Sequence, residues 1–141
     1  MMISRKFLLG FIPILLLMNI ETKAHTLTNP SDTLVVLWVS GDRDVAEKSC
    51  LMYTHAAKKY GWFSEVILII WGPSARLAAE DEVIREKVLS MQEDGVVLEA
   101  CVACSNMLGV TEELRELGID VKGMGTALTG YLKSDYKVLT Y

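Results

Sequence analysis

The sequence predicts an α/β fold, with a mostly parallel five-stranded sheet and helices on both of its faces. Two observations lead there. Short, near-continuous apolar runs recur along the chain, and the stretches between them carry helical spacing with little sequence to spare. Strands covered on both faces read as unbroken apolar runs, and parallel neighbours need a crossover long enough for a helix. No internal repeat or low-complexity tract breaks the alternation.

Taken in order, Thr33 to Ser40 is a β-branched and apolar run that stops at Gly41-Asp42. Asp44 to Tyr60 has helical spacing: Val45, Cys50, Met52, Tyr53, Ala56, Ala57 and Tyr60 can share a broad face, with Lys48, Lys58 and Lys59 outside. Gly61 then fits the C′ position that ends a helix. Glu65 to Trp71 is a second buried strand, closed by Gly72-Pro73-Ser74. Residues 74–79 can form one or two helical turns, and Asp81 to Glu93 a longer helix with Ile84, Val88 and Met91 inward. After Gly95, Val96 to Ala100 is the third strand, and Cys104 to Leu108 begins a short helix ending at Gly109. Thr111-Glu112-Glu113 opens the next helix, with a hydroxyl for the N-cap and acids in the first turn. Ile119 to Met124 is a fourth strand, Ala127 to Lys133 a helix and Lys137 to Thr140 the last strand.

The N-terminus reads as a targeting segment. Arg5 and Lys6 precede an apolar run, Phe7 to Ile20, and Thr22-Lys23-Ala24 offers small residues at the −3 and −1 positions of a cleavage site. As a helix the run is about 21 Å long against a hydrocarbon core of about 30 Å. Residues 1–24 are therefore expected to be a signal peptide, with an uncleaved anchor as the alternative. Export follows, to the periplasm if the source is a Gram-negative bacterium. Residues 25–32 are expected to be a flexible lead-in and 33–141 the single α/β domain, because the 117 residues left after cleavage suffice for one modest core. The remaining apolar runs are core strands, so no stable membrane span is expected after cleavage.

Charge narrows the function. The whole chain carries −4, and the segment 1–24 takes away a net +2, leaving the remainder near −6. An acidic chain without a basic cluster is a poor nucleic-acid binder, whose affinity comes mainly from neutralising phosphates. Three cysteines are an odd number and too few for a disulfide scaffold.

In a parallel sheet, ligand and catalytic groups gather beyond the carboxyl ends of the strands. Here that edge collects a candidate crevice of Gly41, Asp42, Trp71, Gly72, Ser74, Gly123 and Met124, together with Cys101 and Cys104. Cys101 falls where a strand ends and Cys104 where a helix begins. Unpaired N–H groups at a helix start favour thiolate, and the C-x-x-C spacing allows a local disulfide or lets one sulfur resolve an adduct on the other. The rival reading is that both thiols pack as small apolar side chains. Glu99 could act as a proton acceptor or perturb the thiol, but a place at the sheet edge or a subunit interface suits it better. Cys50, on the apolar helix face, reads as core.

Other chemistries fit poorly. A thioredoxin-type protein needs a proline loop facing its thiols, and no proline follows Pro73. No second C-x-x-C or H-x-x-x-H accompanies Cys50, Cys101, Cys104 and His55, so no metal site is expected and His55 reads as an ordinary helix residue. Gly123-Met-Gly125 is followed by Leu128 where a dinucleotide fingerprint wants glycine, and no Gly-x-Ser-x-Gly elbow is present.

Ala100-Cys101-Val-Ala-Cys104-Ser-Asn-Met-Leu-Gly109-Val110, with Leu117-Gly118-Ile119, resembles the DsrE/DsrF-like family of sulfur-relay proteins. The Trp71-Gly-Pro-Ser74 turn and the ending Leu128-Thr-Gly-Tyr-Leu132 with Lys137-Val-Leu-Thr140 extend the likeness over residues 33–141. The resemblance implies a compact three-layer α/β/α sandwich with the YchN-like fold, assembled as a homotrimer or a hexamer. It also implies persulfide chemistry without a bound cofactor, passing sulfur to or from a partner thiol. The family's sulfur-accepting cysteine falls on Cys101, eight residues before Gly109-Val110, which leaves Cys104 as an accessory thiol.

Two functions from different classes follow. In the first, the chain is an exported sulfur carrier or thiol-redox protein, with Cys101 as persulfide-accepting nucleophile and Cys104 as resolving thiol. In the second, it is a non-catalytic oligomeric protein that binds a small ligand or partner and keeps its cysteines as structure.

Overall fold

The computed structural model describes residues 32–141. The expected signal peptide and nearly all of the expected lead-in lie outside them. Among the described residues, no helix is long and apolar enough to cross a membrane.

Five strands form one sheet in the order β4-β3-β2-β1-β5, and every pairing is parallel. They are β1 (Thr33–Trp38), β2 (Glu65–Ile70), β3 (Val97–Cys101), β4 (Asp120–Lys122) and β5 (Lys137–Thr140). From β1 to β4 the chain steps in one direction, and from β4 to β5 it returns across the sheet. Right-handed crossovers place helices on opposite faces when the direction of stepping reverses. One face accordingly carries α1 (Arg43–Val45), α2 (Leu51–Lys59), α3 (Ser74–Glu80), α4 (Glu82–Glu93), α5 (Val102–Leu108) and α6 (Thr111–Glu116), while the other carries α7 (Met124–Lys133). This is an α/β/α sandwich with unequal outer layers.

Alternation along the strands sorts side chains between the faces. Leu34, Val36 and Trp38 of β1, Val66, Leu68 and Ile70 of β2, and Leu98 and Ala100 of β3 enter the larger core, where Ile84, Val88 and Met91 of α4 are fully buried. Val35, Ile67, Ile69 and Cys101 face the other way and join Cys104 and Met124 in a smaller core, with Trp71, Leu128 and Tyr131 packed around it.

The first crossover helix departs from its expected face. Between α1 and α2 lies a π-helical turn, Ala46–Cys50. Its extra residue rotates everything downstream, so the buried stripe becomes Ala46, Cys50, Leu51, Thr54 and Ala57. Met52 and Tyr60, expected inside, are 62 % and 69 % exposed. Gly61 follows the Tyr60 cap with φ +66°, in the left-handed conformation that ends a helix.

Later boundaries also move: β4 ends at Lys122, and Met124, expected at the end of that strand, opens α7 three residues before the expected Ala127. The helix after β3 begins at Val102, which makes Cys101 its N-cap and puts Cys104 inside its first turn. Thr111 is the first residue of α6 after the cap Val110, and its hydroxyl bonds Asn106 (2.6 Å) and Ser105 (2.8 Å). That hydroxyl network pins α6 to α5 instead of capping α6.

Candidate functional site

The site assembles at the carboxyl end of β3. Cys101 closes the strand with extended backbone (φ −76°, ψ 112°), and Val102 turns at once into α5. This bend brings Cys104, in the first turn of α5, back beside Cys101 in one buried cluster. Both are thiols, 5 % and 7 % exposed, packed among Met124, Trp71 and Leu128. The main-chain N–H of Gly72, from the turn after β2, faces the Cys104 thiol and works to lower its pKa. Gly72 has φ +69°, which a residue with a side chain rarely adopts, so a glycine is required for that turn to present its N–H. Burial, with the neighbouring Cys101, pushes the Cys104 thiol above its ordinary range despite the facing Gly72 N–H. Cys104 is thus held as a neutral thiol, contrary to the expectation that its helix-start position favours thiolate. A helix of two turns offers little dipole, and desolvation wins.

The crevice residues divide into three groups. Trp71, Gly72 and Met124 stand with the cysteines, as described above. Gly41 lies across the sheet edge in a separate hollow of about 600 Å³, lined also by Pro73, Arg76, Leu77, Asp81 and Leu108. A Cβ on Gly41 would come within 2.9 Å of the Pro73 Cβ, so the loop after β1 and the turn after β2 touch there through the absent side chain. Asp42 and Ser74 hold backbone. The Asp42 carboxylate accepts the Val45 N–H at 3.0 Å and caps α1. The fully buried Ser74 hydroxyl donates to the Trp38 carbonyl (2.6 Å) and accepts the Trp71 N–H (3.0 Å), which ties the ends of β1 and β2 together. Gly123 precedes α7 with open space around its Cα.

Glu99 shares the face of Cys101, two residues back along β3. It is 4 % exposed and lies on an interior strand rather than at the sheet edge. Its carboxylate accepts from the Lys122 ammonium (2.7 Å) and from the Tyr131 hydroxyl (2.9 Å). Lys122 is the register partner of Cys101 across β3–β4, and its ammonium also reaches Asp120 at 2.6 Å. Burial opposes its charge, but the bonds to Asp120 and Glu99 outweigh that and hold its pKa above the ordinary lysine value. Burial and the adjacent carboxylate push the Tyr131 hydroxyl up to about 12. Three charges and a phenol therefore stitch β3, β4 and α7 together beside the thiols. Sequence reasoning missed this cluster because Lys122 and Tyr131 lie 23 and 32 positions from Glu99.

The remaining candidates stand apart. Cys50 is fully buried in the larger core, and burial pushes its thiol up to about 12. His55 bonds Asp94 at 2.6 Å on the outer surface. Among the described residues, no cluster of three or more His, Cys, Asp or Glu side chains is arranged to hold a metal ion.

The chain is thus a parallel α/β/α sandwich with a paired-cysteine turn at the carboxyl edge of its sheet. The DsrE/DsrF-like family model matches residues 34–141, and the chain belongs to that family. It is similar to a solved protein of unknown function from Bacteroides thetaiotaomicron, at 35 % identity over 78 % of this chain and 95 % of that one, with a TM-score of 0.75. The ychN protein from E. coli shares the fold at 14 % identity and a TM-score of 0.58, over 78 % of this chain and 98 % of that one. No curated protein matches the chain.

Proposed function

We propose that this protein is an exported sulfur carrier or thiol-redox protein, with Cys101 as the nucleophile that accepts a persulfide and Cys104 as its resolving thiol. The observation that carries the reading is the adjacent, buried Cys101–Cys104 pair at the end of β3 in a member of a sulfur-relay family. A nucleophile set at a strand end, with a second sulfur in contact, has what thiol exchange needs: a thiol to attack and a thiol to resolve. Sulfur would arrive from a persulfide and leave to a thiol, on a partner protein or a small molecule. The protein would work as a trimer or hexamer of this chain, without a resident cofactor. The thinly covered α7 face favours such assembly, because Val97 (40 % exposed) and Leu132 (62 % exposed) leave apolar surface open there.

One observation favours the second reading, an oligomeric small-ligand or partner-binding protein with structural cysteines: both thiols are nearly buried. Intact-mass measurement separates the two. After exposure to glutathione persulfide and desalting, Cys104→Ser should gain about 32 Da, the mass of one sulfur, and Cys101→Ser should gain none at Cys104. Failure of Cys101 to take up sulfur in the folded protein would leave the binding reading standing.

A further inference from the structure

We infer that the cysteine pair has a second activity, the discharge of bound persulfide sulfur as hydrosulfide by closure of a Cys101–Cys104 disulfide. The inference rests on the reading of Cys101 as the sulfur acceptor and goes beyond it, since a carrier needs only one thiol.

The geometry decides which sulfur Cys104 attacks. Cys101 is the N-cap of α5 and Cys104 lies three residues on in its first turn, and both sit in one buried cluster, so the two sulfurs are neighbours. When Cys101 bears a persulfide, the atom already at hand is the inner sulfur, the Cys101 Sγ, and not the terminal one. Attack on the inner sulfur forms the Cys101–Cys104 bond and breaks the bond to the terminal sulfur. The bonding pair leaves with the terminal sulfur, which keeps the proton that Cys104 gives up. An anionic persulfide and a thiol thereby become a disulfide and hydrosulfide. The sulfane sulfur gains two electrons, and the two cysteines give up one each. Hydrosulfide is a weaker base than an alkyl thiolate, and the weaker base leaves faster in thiol–disulfide exchange. Burial keeps Cys104 protonated, so the proton required is present before the step.

The surroundings favour the same outcome. Met124 is 1 % exposed over the pair, and Trp71 and Leu128 complete an apolar cover. A folded acceptor protein would have to lift that cover to reach the terminal sulfur. Hydrosulfide needs only a small opening. The disulfide left behind is reset by exchange with an external dithiol, so the reaction class that must follow is dithiol reduction.

A single-turnover experiment on the reduced protein tests the step. The protein is pulsed with glutathione persulfide, desalted at once, and followed for released sulfide and intact mass. The wild type should release about one equivalent of sulfide and finish about 2 Da lighter than the reduced chain, as a disulfide. Cys104→Ser and Cys104→Ala should both hold about 32 Da on Cys101 and release at least roughly tenfold less sulfide. A wild type that keeps the added sulfur on Cys101 and releases none would overturn the discharge step while leaving the carrier reading intact. Absence of added sulfur on Cys101 in the wild type and in both variants would overturn the carrier reading, and the discharge step with it.

Discussion

On the face covered by α1 to α6, the sheet contributes Leu34, Val36, Trp38, Leu68 and Ile70 to one continuous core, closed by Ile84, Val88, Met91 and Leu114 from the helices. On the face covered by α7, it contributes Val35, Ile67, Ile69 and Cys101, and also the charged Glu99. Only Met124 of α7 is fully covered, and two glycines, Gly125 and Gly130, sit in its ten residues. The same five strands therefore support a deep apolar layer on one side and a thin layer holding thiols and an ion cluster on the other. Stability is concentrated where the apolar area is. A reactive group needs access, and local opening costs least where few buried contacts must break.

That asymmetry can be tested by removing equal amounts of side chain from the two layers. Ile70→Ala, at a site with no exposure, should cost about 3–5 kcal/mol of unfolding free energy by urea titration. Leu128→Ala, on the half-buried side of α7, should cost about 1–2 kcal/mol. Equal losses would mean that the two layers are equally consolidated.

The pH dependence should single out the larger layer. Cys50 is held protonated in the folded chain up to about 12, whereas in the unfolded chain it titrates near 9. The folded state holds the extra proton between these values. Its contribution, of up to about 4 kcal/mol, is complete below pH 9 and lost as the pH rises toward 12. Denaturant midpoints for wild type and Cys50→Ala should fall differently across that window, with the steeper decline in the wild type. Parallel declines would place the titrating group elsewhere.

The smallest effects contrast two glycines. Gly41→Ala would drive a Cβ against Pro73 and should cost about 1–2 kcal/mol. Gly125→Ala, in α7 with nothing within 4 Å of the added atom, should gain about 0.5–1 kcal/mol from helix propensity. Thermal midpoints moving in opposite directions would confirm that Gly41 marks a close approach and that Gly125 leaves α7 intrinsically weak.

The same contrast explains what could be read without coordinates. The buried strands were legible because a parallel sheet demands unbroken apolar runs, and Ile84, Val88 and Met91 show the helical period directly. The Cys101–Cys104 turn was legible because strand, turn and helix follow within a few residues. Two features were not. The π turn at Ala46–Cys50 has no local signature, yet it moved Met52 and Tyr60 from inside to outside. The Glu99–Lys122–Tyr131 cluster exists only once β4 pairs with β3 and α7 folds over both. Cys104 was misjudged for a related reason: its position along α5 was visible, but the burial that keeps it protonated comes from α7 and the turn after β2.

Cys50 and Cys101 are buried thiols of one chain on opposite faces of one sheet, and their relative reactivity tests the account most directly. Native protein is treated with iodoacetamide at neutral pH, and each cysteine is followed by peptide mass. Cys101 should be alkylated at least roughly tenfold faster than Cys50, because the α7 layer opens locally while the larger core opens only with global unfolding. Equal rates for the two, both matching global unfolding, would contradict a reactive Cys101 and return the pair to a structural role.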